Sequence, residues 1–414
     1  MRLKTIILAA ALSGVPGLLH AQFDFKLAGK DIQVHSFASQ GFLYTNVNNY
    51  LTMKTDGGSF AFTDAGMNMS VRVTDKFRVG GQVYVRKLGE LSKGQVSLDW
   101  ASADYRFADW FGIRGGKVKT TLGLYNDVQD MDFLNTFAIM PQSMYPLDLR
   151  SSTIAHTGGD IYGSIAVKHL GSLAYTLYAG MRPNDPHDGY RYLMDSLGMP
   201  LKSYTGRMLG GDVRWNTPLK GLLAGTSYLD QRPHSEGAGV RQDARKNFIS
   251  QFYVQYSLRN LRIDGEYRRD YRFLTVANMV LPSGGNPPAG GGGAPAGGGG
   301  APAGGAGVVW DSRSWYTAAA YRISKRLEAG GYYSRFVALW SGDANANDNH
   351  IYDRVVTVRL DLTSHWNLKV EEHFMDGYGA MDSSRGFYSG GMGLSATTFQ
   401  PKTNLFVVRT GLNF

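Results

Sequence analysis

The sequence predicts an all-β protein, namely a transmembrane up-and-down antiparallel β-barrel of about 16 strands with a long third loop folded into its lumen. Three observations support this prediction. Apolar and polar residues alternate along most of the chain. No segment after residue 22 reaches the roughly 18–20 apolar residues that a membrane helix needs. The links between the alternating segments are short and long in turn.

The first 22 residues have the features of a secretory signal peptide. Arg2 and Lys4 precede a short apolar core, and Ala21 occupies a suitable position for cleavage; a buried first helix is the alternative. We therefore expect residues 1–22 to be removed and residues 23–414 to form a single β-barrel domain. The absence of Cys from the chain excludes disulfides, thiolate metal ligands and a cysteine nucleophile.

The alternation has a period of two, which is the period of a β-strand. In 61–73, Met67, Met69 and Val71 share one parity, whereas Asp64 and Asn68 share the other. One face of such a strand is therefore apolar and the other is polar. In a soluble sandwich the apolar face turns inward, whereas in a membrane barrel it contacts lipid and the polar face lines the lumen.

The lengths of the links distinguish these two architectures. Links of two or three residues, such as Thr74-Asp75, alternate with longer links such as 44–60 and 182–204. This regularity is typical of a barrel with tight periplasmic turns and long outer loops, and a sandwich does not require it. The predicted strands are 31–43, 61–73, 76–88, 95–107, 110–120, 159–169, 172–181, 205–216, 220–229, 247–258, 261–271, 312–323, 326–338, 351–362, 366–374 and 404–414.

Aromatic residues and the C-terminus agree with a membrane barrel. Amphipathic rings gather at the level of the lipid headgroups, although strands also favour aromatic residues in general. The last strand ends at Phe414, which resembles the C-terminal signature of bacterial outer-membrane barrels and implies recognition by the barrel assembly machinery. The aromatic residues close to the short turns are Phe77, Phe107, Trp110, Trp215, Tyr256, Tyr321 and Trp366.

About 16 strands enclose a lumen too wide for side chains to fill, so we expect a water-filled channel. Basic residues outnumber acidic residues on the polar parity, which would concentrate anions; the alternative is that charges on neighbouring strands pair and cancel. A bulge at Gly115-Gly116 would change which of Lys117 and Lys119 faces the lumen. The residues predicted to line the pore are Arg72, Arg78, Arg86, Arg114, Lys119, Arg214, Arg262, Arg268, Arg322, Arg359 and Arg409.

The link 121–158 is the best candidate for a constriction. It contains too many apolar residues, among them Phe133, Phe137 and Ile139, to remain in solvent, and the barrel interior is available to them. Packing on the outer rim or at a subunit contact is the alternative. The polar residues predicted to face the narrowest part are Tyr125, Asn126, Asp127, Asp130, Asp132, Gln142 and Arg150.

Residues 284–307 are rich in Gly, Ala and Pro, bury nothing, and are expected to form a disordered outer loop. Elsewhere, nine scattered His residues form no metal or catalytic motif. We therefore predict no catalytic residues, no metal and no cofactor. The scattered bases also argue against a nucleic-acid partner.

Several segments resemble a large group of Gram-negative porins, the phosphate-selective porin family in the broad sense. They are Val34 to Gly41, Leu98 to Ala101, Gly112 to Lys119 and Leu122 to Asp127, within roughly 30–165. The resemblance implies 16 strands, a third loop in the pore, a homotrimer and diffusion of small, often anionic solutes. Phosphate-specific members carry basic clusters at the constriction, whereas 121–158 contains no Lys and only Arg150 as Arg, so a general or weakly selective pore is expected.

These observations predict a porin of the bacterial outer membrane. It would be a passive diffusion channel for small hydrophilic solutes, with a modest preference for anions and with the lipid bilayer around it. A non-conducting barrel that acts as an adhesin or structural protein is the alternative. An outer-membrane hydrolase is a third interpretation, but the sequence offers no catalytic cluster for it.

Overall fold

The computed structural model describes residues 23–27, 29–196, 200–237, 240–277, 307–338, 345–379, 387 and 399–414. The predicted signal peptide lies outside the described residues. The same holds for the Gly-rich segment 284–307, apart from Gly307, which begins a strand.

The described residues form a closed antiparallel barrel of 16 strands, as the sequence predicts, preceded by one short extra strand, β1 (Phe23–Leu27). The wall strands are β2 (Lys30–Thr45), β3 (Ser59–Arg72), β4 (Phe77–Leu88), β5 (Ser92–Ala108), β6 (Phe111–Lys119), β7 (Ala155–Val167), β8 (Gly171–Arg182), β9 (Leu201–Asn216), β10 (Leu222–Gly237), β11 (Val240–Leu258), β12 (Leu261–Ala277), β13 (Gly307–Arg322), β14 (Leu327–Ala338), β15 (His350–Asp361), β16 (Trp366–Asp376) and β17 (Lys402–Asn413).

The barrel closes where its last strand meets its first wall strand. β17 pairs with β2 from Leu405↔Thr45 to Asn413↔Phe37. Phe414 and Ser36 then exchange backbone hydrogen bonds of 2.7 and 2.8 Å. Each wall strand therefore has a neighbour on both sides, which satisfies the backbone polar groups that a bilayer could not.

The barrel wall is apolar outside and polar inside, the reverse of a soluble protein. On β3, the side chains of Met67 and Met69 are 51% and 50% exposed, whereas Asp64 and Ser70, which have the opposite parity, are buried. The same contrast holds on β4, where Val83 is exposed and Gln82 is buried. This arrangement is unfavourable in water and favourable in a bilayer, where acyl chains cover the outer face.

Aromatic side chains mark the end of the barrel that carries the short turns. Trp110, Trp215 and Trp366 are exposed on the outer face. The indole nitrogens of Trp215 and Trp366 donate hydrogen bonds to the carbonyl oxygen of Leu170 and the hydroxyl of Thr410. Rings that are apolar on one side and hydrogen-bonded on the other suit the headgroup level of a bilayer.

The sequence misplaces several strand ends on the side of the long loops. β10 and β11 continue through most of the predicted link 230–246, and β12 and β13 extend into the predicted link 272–311. The link 182–204 contains a helix, α2 (Gly189–Ser196), in addition to the short helix α1 (Arg150–Thr153) of an earlier link. Within the described residues, no helix is long and apolar enough to cross a bilayer.

Residues 120–154, between β6 and β7, form what we term the lumen loop. It contains three single turns of 3₁₀ helix, at Asn126–Val128, Asp132–Leu134 and Leu147–Leu149, and ends in α1. Its apolar residues Phe137, Met144 and Tyr145 pack against the inward-facing Tyr316 and Tyr332 of β13 and β14. The third long link therefore folds into the barrel rather than onto its rim, as the sequence predicts.

Candidate functional site: the lumen and its internal loop

The middle of the lumen loop is bound to β16 and β17 by buried cations. The Lys369 amine donates to the Asp132 carboxylate at 2.8 Å and to the backbone oxygens of Asp132 and Phe137. Arg409 lies 3.1 Å from the same carboxylate and donates to the Ala138 oxygen at 2.8 Å. Burial alone would raise the pKa of Asp132, but Arg409 and Lys369 outweigh it and hold that pKa below its ordinary value.

An acceptor on the same wall completes this attachment. The Glu371 carboxylate accepts hydrogen bonds of 2.9 Å from the backbone N–H groups of both Ala138 and Ile139. Glu371 also lies 3.0 Å from His373, whose other ring nitrogen lies 2.9 Å from Asp353. The wall therefore presents donors to the loop's carbonyl oxygens and an acceptor to its N–H groups.

A second attachment joins the loop to β12. The buried Glu266 carboxylate accepts hydrogen bonds from the Tyr145 hydroxyl at 2.5 Å, the Tyr316 hydroxyl at 2.7 Å and the Leu124 backbone N–H at 3.1 Å. The Tyr125 hydroxyl donates to Asp264 at 2.7 Å. Burial, together with these carboxylates, raises the pKa of Tyr125 and Tyr145, so both hydroxyls remain protonated donors.

A third attachment lies on β4, β5 and β6. Arg150 donates to both oxygens of Asp99, at 2.8 and 2.9 Å. Asp130 accepts from the Lys119 amine at 2.7 Å and from the Gln82 amide at 2.6 Å. Together with the two attachments above, these contacts fix the loop to separate sectors of the wall, so it stretches across the lumen.

The polar residues of the loop anchor it, and this differs from the sequence expectation for several of them. Asp130, Asp132 and Arg150 are predicted to face the narrowest part of the pore; in the structure they are 3%, 5% and 7% exposed and ion-paired with the wall. Asn126 and Gln142 are buried too, bonded to backbone of the loop and its base. A carboxylate in a narrow lumen is stabilised most by a nearby cation, and the wall supplies one for each.

The loop's remaining predicted residues keep partial contact with solvent. Asp127 and Tyr125 are half-buried. The backbone oxygen of Asp127 accepts a hydrogen bond from Lys119. These two residues therefore lie nearer to open space than the ion-paired anchors do.

Most bases predicted to line the pore are paired with carboxylates. Arg359 donates to Asp361 at 2.8 Å, and Arg114 to Asp160 at 3.0 Å. At these positions the charges of the wall therefore pair and cancel, which is the alternative to a lumen that concentrates anions. The paired bases are Arg114, Lys119, Arg262, Arg268, Arg322, Arg359 and Arg409.

Four predicted pore bases make no ion pair with the described residues. Arg78 donates to the Ser70 hydroxyl at 2.7 Å, and Arg86 donates to the Leu147 backbone oxygen at 2.6 Å. Arg214 donates to the Gly123 backbone oxygen at 3.1 Å. Arg72 is exposed at the short-turn end, beside Arg78 in the strand register. Of these four bases, Arg214 still interacts electrostatically with Asp212 and Asp127 without forming an ion pair with either.

The register of β6 settles the parity of its basic residues. Arg114 pairs with Asp160, Lys117 with Thr157 and Lys119 with Ala155, with no register shift between them. Lys117 and Lys119 therefore share one parity, opposite to Arg114, and no bulge occurs at Gly115-Gly116. Lys119, the last residue of the strand, nevertheless reaches the loop, where its amine donates to the Asp127 backbone oxygen and to the Asp130 carboxylate.

The long-loop end of the lumen is closed on one side. Tyr50 and Leu51 of the first long link are buried against Phe387, Phe399 and Leu88. The rings of Tyr50 and Phe387 lie 5.2 Å apart, edge to face. This apolar cluster covers the sector formed by β2–β4 and β15–β17. The remaining open part of the lumen therefore lies on the opposite side of the barrel.

On that other side, a small cavity that is partly open to solvent lies above the lumen loop. It is bordered by β8–β13 and by α2. The lining side chains most relevant to chemistry are Arg182, Arg268, Arg272, Tyr190, Tyr204 and Trp310. Of these lining side chains only Arg268 is among the predicted pore bases, although the pattern Tyr190, Leu193, Met194 has the spacing of a helix that covers an apolar surface.

Several titratable side chains in the described part of the chain form ion pairs with one another. No group of three or more His, Asp or Glu side chains there is placed to hold a metal ion. The inward-facing carboxylates are instead engaged with arginines, tyrosines and backbone N–H groups. The arrangement orders a loop inside a wet, charged lumen.

Comparisons with known proteins identify the fold. No family model and no curated protein sequence matches the chain. An anion-selective porin from Comamonas acidovorans matches with a TM-score of 0.55 and 11% identity, over 93% of this chain and 100% of that chain. OmpF of Salmonella typhi in complex with daunomycin matches with a TM-score of 0.56 and 11% identity, over 95% and 100%. Outer-membrane expressed OmpT of Vibrio cholerae matches with a TM-score of 0.54 and 13% identity, over 95% and 100%.

At these identities the likeness shows a shared fold alone. The chain is similar along nearly its whole described length to barrels of the porin type, which agrees with the strand count and the closed topology.

Proposed function

We propose that the protein is a porin of the bacterial outer membrane, a passive diffusion channel for small hydrophilic solutes. The observation that carries the proposal is the lumen loop, which is held across a closed, polar-lined barrel by ion pairs to several wall sectors. Such a loop narrows the passage through the barrel. The apolar outer face and the aromatic rim support placement in a bilayer.

The proposed channel has a modest preference for anions. Arg72, Arg78, Arg86 and Arg214 form no ion pair with the described residues, and charge inside a narrow low-dielectric wall acts strongly on passing ions. The ion pairing of the other bases limits this preference. A strong phosphate site is disfavoured, because the two basic residues that contact Asp132 are already occupied by it.

The resemblance of 30–165 to phosphate-selective porins in the broad sense supports a relationship with the less specialised members of that family. On that resemblance we also propose a homotrimer. Export by the signal peptide 1–22 and recognition of the strand ending at Phe414 by the barrel assembly machinery complete the proposal. The backbone pairing of Phe414 with Ser36 supports a role for this last residue in closing the barrel.

A second candidate is a non-conducting barrel that serves as an adhesin or structural protein. The observation that favours it is the extent to which the lumen is filled: the loop is bonded on several sides, and the cluster around Tyr50 and Phe387 covers part of the mouth. In that case the same barrel would assemble in the membrane but pass no solute.

Liposome swelling separates the two candidates. Vesicles containing the purified protein are diluted into isotonic arabinose, glucose or a trisaccharide, and light scattering is followed. The channel proposal expects swelling that falls steeply with solute size. Vesicles that resist every solute, although they contain folded protein, would favour the non-conducting barrel.

A further inference from the structure

The outer face of the barrel carries basic side chains on five neighbouring strands. Each of the strands β11 to β15 contributes one base that points away from the lumen. Parity shows the direction: Arg313 is exposed, whereas Ser312 and Ser314 on either side of it are buried. We term this set the outer basic patch, and its members are Lys246, Arg269, Arg313, Arg335 and Arg354.

The register of the strands makes the arginines of this patch continuous. Arg269 and Arg313 lie directly opposite each other on β12 and β13. Arg335 lies opposite the residue two positions from Arg313, and Arg354 lies opposite the residue two positions from Arg335. Each arginine is therefore a direct or diagonal neighbour of the next, and diagonal neighbours are about 7–8 Å apart. One ligand can contact several of these side chains at once.

The positive charge of the patch is only partly neutralised. The Asp311 carboxylate lies 2.7 Å from Arg269 and 3.8 Å from Arg313, so two opposed arginines share one acid. The other three members of the patch form no ion pair with the described residues and contact aromatic rings instead. Like charges directly opposite each other destabilise a sheet. An anion brought to the patch would therefore offset a repulsion that the barrel itself leaves in place.

The patch lies at the far edge of the apolar band, on the side of the long loops. Arg269 is eight residues from Leu261, the first residue of β12, and Arg335 is as far from the first residue of β14. Eight residues span about 26 Å along a strand, or about 20 Å across the bilayer at a tilt of about 40°. The outer face between these ends is apolar, as at the exposed Ile263. Since the apolar band of a membrane barrel is about 25 Å tall, the bases lie where acyl chains give way to headgroups.

Aromatic rings hold two of the cations against the wall. The rings of Phe248 and Tyr271 are stacked, with centres 5.3 Å apart. The Lys246 amine lies 5.4 Å from the centre of each ring, and the Arg269 guanidinium lies 5.9 and 5.5 Å from them. Cations on ring faces, beside amphipathic aromatic residues, suit the interface between a bilayer and water.

We propose that the outer basic patch binds the phosphorylated headgroup of a lipid in the leaflet on the side of the long loops. Guanidinium groups bind phosphate through paired, charge-assisted hydrogen bonds. A lipid fits better than a soluble anion, because the patch adjoins the apolar wall and the acyl chains of the same molecule would cover that wall. This site goes beyond the proposed channel function and rests only on the placement in a bilayer that the channel proposal includes.

The test is binding of diphosphoryl lipid A to the purified protein in a neutral detergent, measured by native mass spectrometry, with dephosphorylated lipid A as the matched ligand. The phosphorylated lipid is expected to bind at least about tenfold more tightly, because only its headgroup accepts charge-assisted hydrogen bonds from the arginines. The bound lipid should be retained in millimolar inorganic phosphate. Equal binding of the two lipids would overturn the proposal, and displacement by inorganic phosphate would assign the patch to a soluble anion instead.

Variants locate the site. Arg313→Gln combined with Arg354→Gln should weaken binding of diphosphoryl lipid A at least about tenfold, since two cations are lost from the patch. Both side chains are exposed on the outer face, so liposome swelling by the double variant should be unchanged, which also shows that it folds. Lys87→Gln is the matched control, because Lys87 is exposed on the outer face toward the long-loop end of β4, outside the patch. If the control weakens lipid binding as much as the double variant, or if the double variant binds normally, the assignment is wrong.

The outcome is separable from that of the channel proposal. A protein that swells liposomes but binds both forms of lipid A equally retains the channel function and loses the lipid site. A protein that prefers the phosphorylated lipid but swells no liposomes retains the lipid site and loses the channel function.

Discussion

Arg150 of the lumen loop and Asp99 of β5 form a two-pronged ion pair, with Nη1 to Oδ1 at 2.8 Å and Nη2 to Oδ2 at 2.9 Å. The guanidinium also lies 4.4 Å from the centre of the Tyr84 ring. The pair joins the end of the loop to the wall on the side where the loop begins. It therefore fixes both the position of the loop and the width left beside it.

Removal of the Arg150 side of this pair is expected to loosen the loop. Arg150→Met leaves Asp99 buried without its cation, and loss of one partner of a buried pair costs about 3–5 kcal/mol. Thermal unfolding in detergent should shift to lower temperature, and the open-channel current should become noisier. Arg72→Gln, at an exposed base without an ion pair in the described structure, is the control and should leave both measurements unchanged. Unaltered unfolding in Arg150→Met would contradict the anchoring role.

The pH dependence of stability should report on Asp132. Its pKa in the folded protein is below the ordinary value of 3.8, so its stabilisation is complete above that value and is lost as the pH falls through the folded pKa. The unfolding temperature should therefore be nearly constant from about pH 7 to 5 and fall below about pH 4. The unfolding temperature of the Asp132→Asn variant should be lower than that of the unmodified protein at neutral pH, and it should fall less steeply as the pH decreases. Parallel curves for the two proteins would show that Asp132 does not contribute.

A pair of introduced cysteines should trap the loop inside the barrel. The hydroxyls of Ser143 in the loop and Ser334 on β14 lie 2.7 Å apart, and the chain has no Cys of its own. Ser143→Cys combined with Ser334→Cys should form a disulfide on oxidation, seen by mass spectrometry of the intact and reduced protein.

The matched control for this cross-link is Ser143→Cys with Ser227→Cys. The Ser227 hydroxyl contacts Gly123 and Asp212 instead of Ser143. That pair should stay reduced under the same conditions. Equal oxidation of both pairs would mean that the loop is not held at β14.

Arg78 should contribute to ion preference. Its guanidinium makes no ion pair with the described residues and lies toward the short-turn end of the lumen wall. Arg78→Gln should shift the reversal potential in a salt gradient toward cations, and Arg78→Glu should shift it about twice as far, because the charge changes by two instead of one. Arg207→Gln, at an exposed position on β9, should have no effect. A null result for Arg78→Glu would place this residue off the ion path.

The strands were predictable because bilayer and lumen impose opposite polarity on alternate residues. β16 is an example: it was predicted as 366–374 and is observed at Trp366–Asp376. The ends of β10 and β11 were missed because both faces there are polar, as at His234 and Asp243, which contact each other across the two strands. A strand without an apolar face has no period-two signal in the sequence.

The lumen loop was predictable as a segment, but its contacts were not. Phe137 and Ile139 indicate that 121–158 must be buried, since apolar side chains in a loop need a surface to cover. The pairing of Asp132 with Lys369 joins residues 237 positions apart, and no local pattern encodes it. The sequence therefore shows which charged residues the lumen contains, but only the folded structure shows which of them neutralise one another.

Single-channel recording in a planar bilayer shows whether the barrel conducts ions. With the purified protein in symmetric KCl, the proposed channel should give discrete current steps well above the noise of bare lipid, and a reversal potential that favours chloride once a salt gradient is applied. A bilayer that contains folded protein yet shows no current steps at any voltage would contradict it.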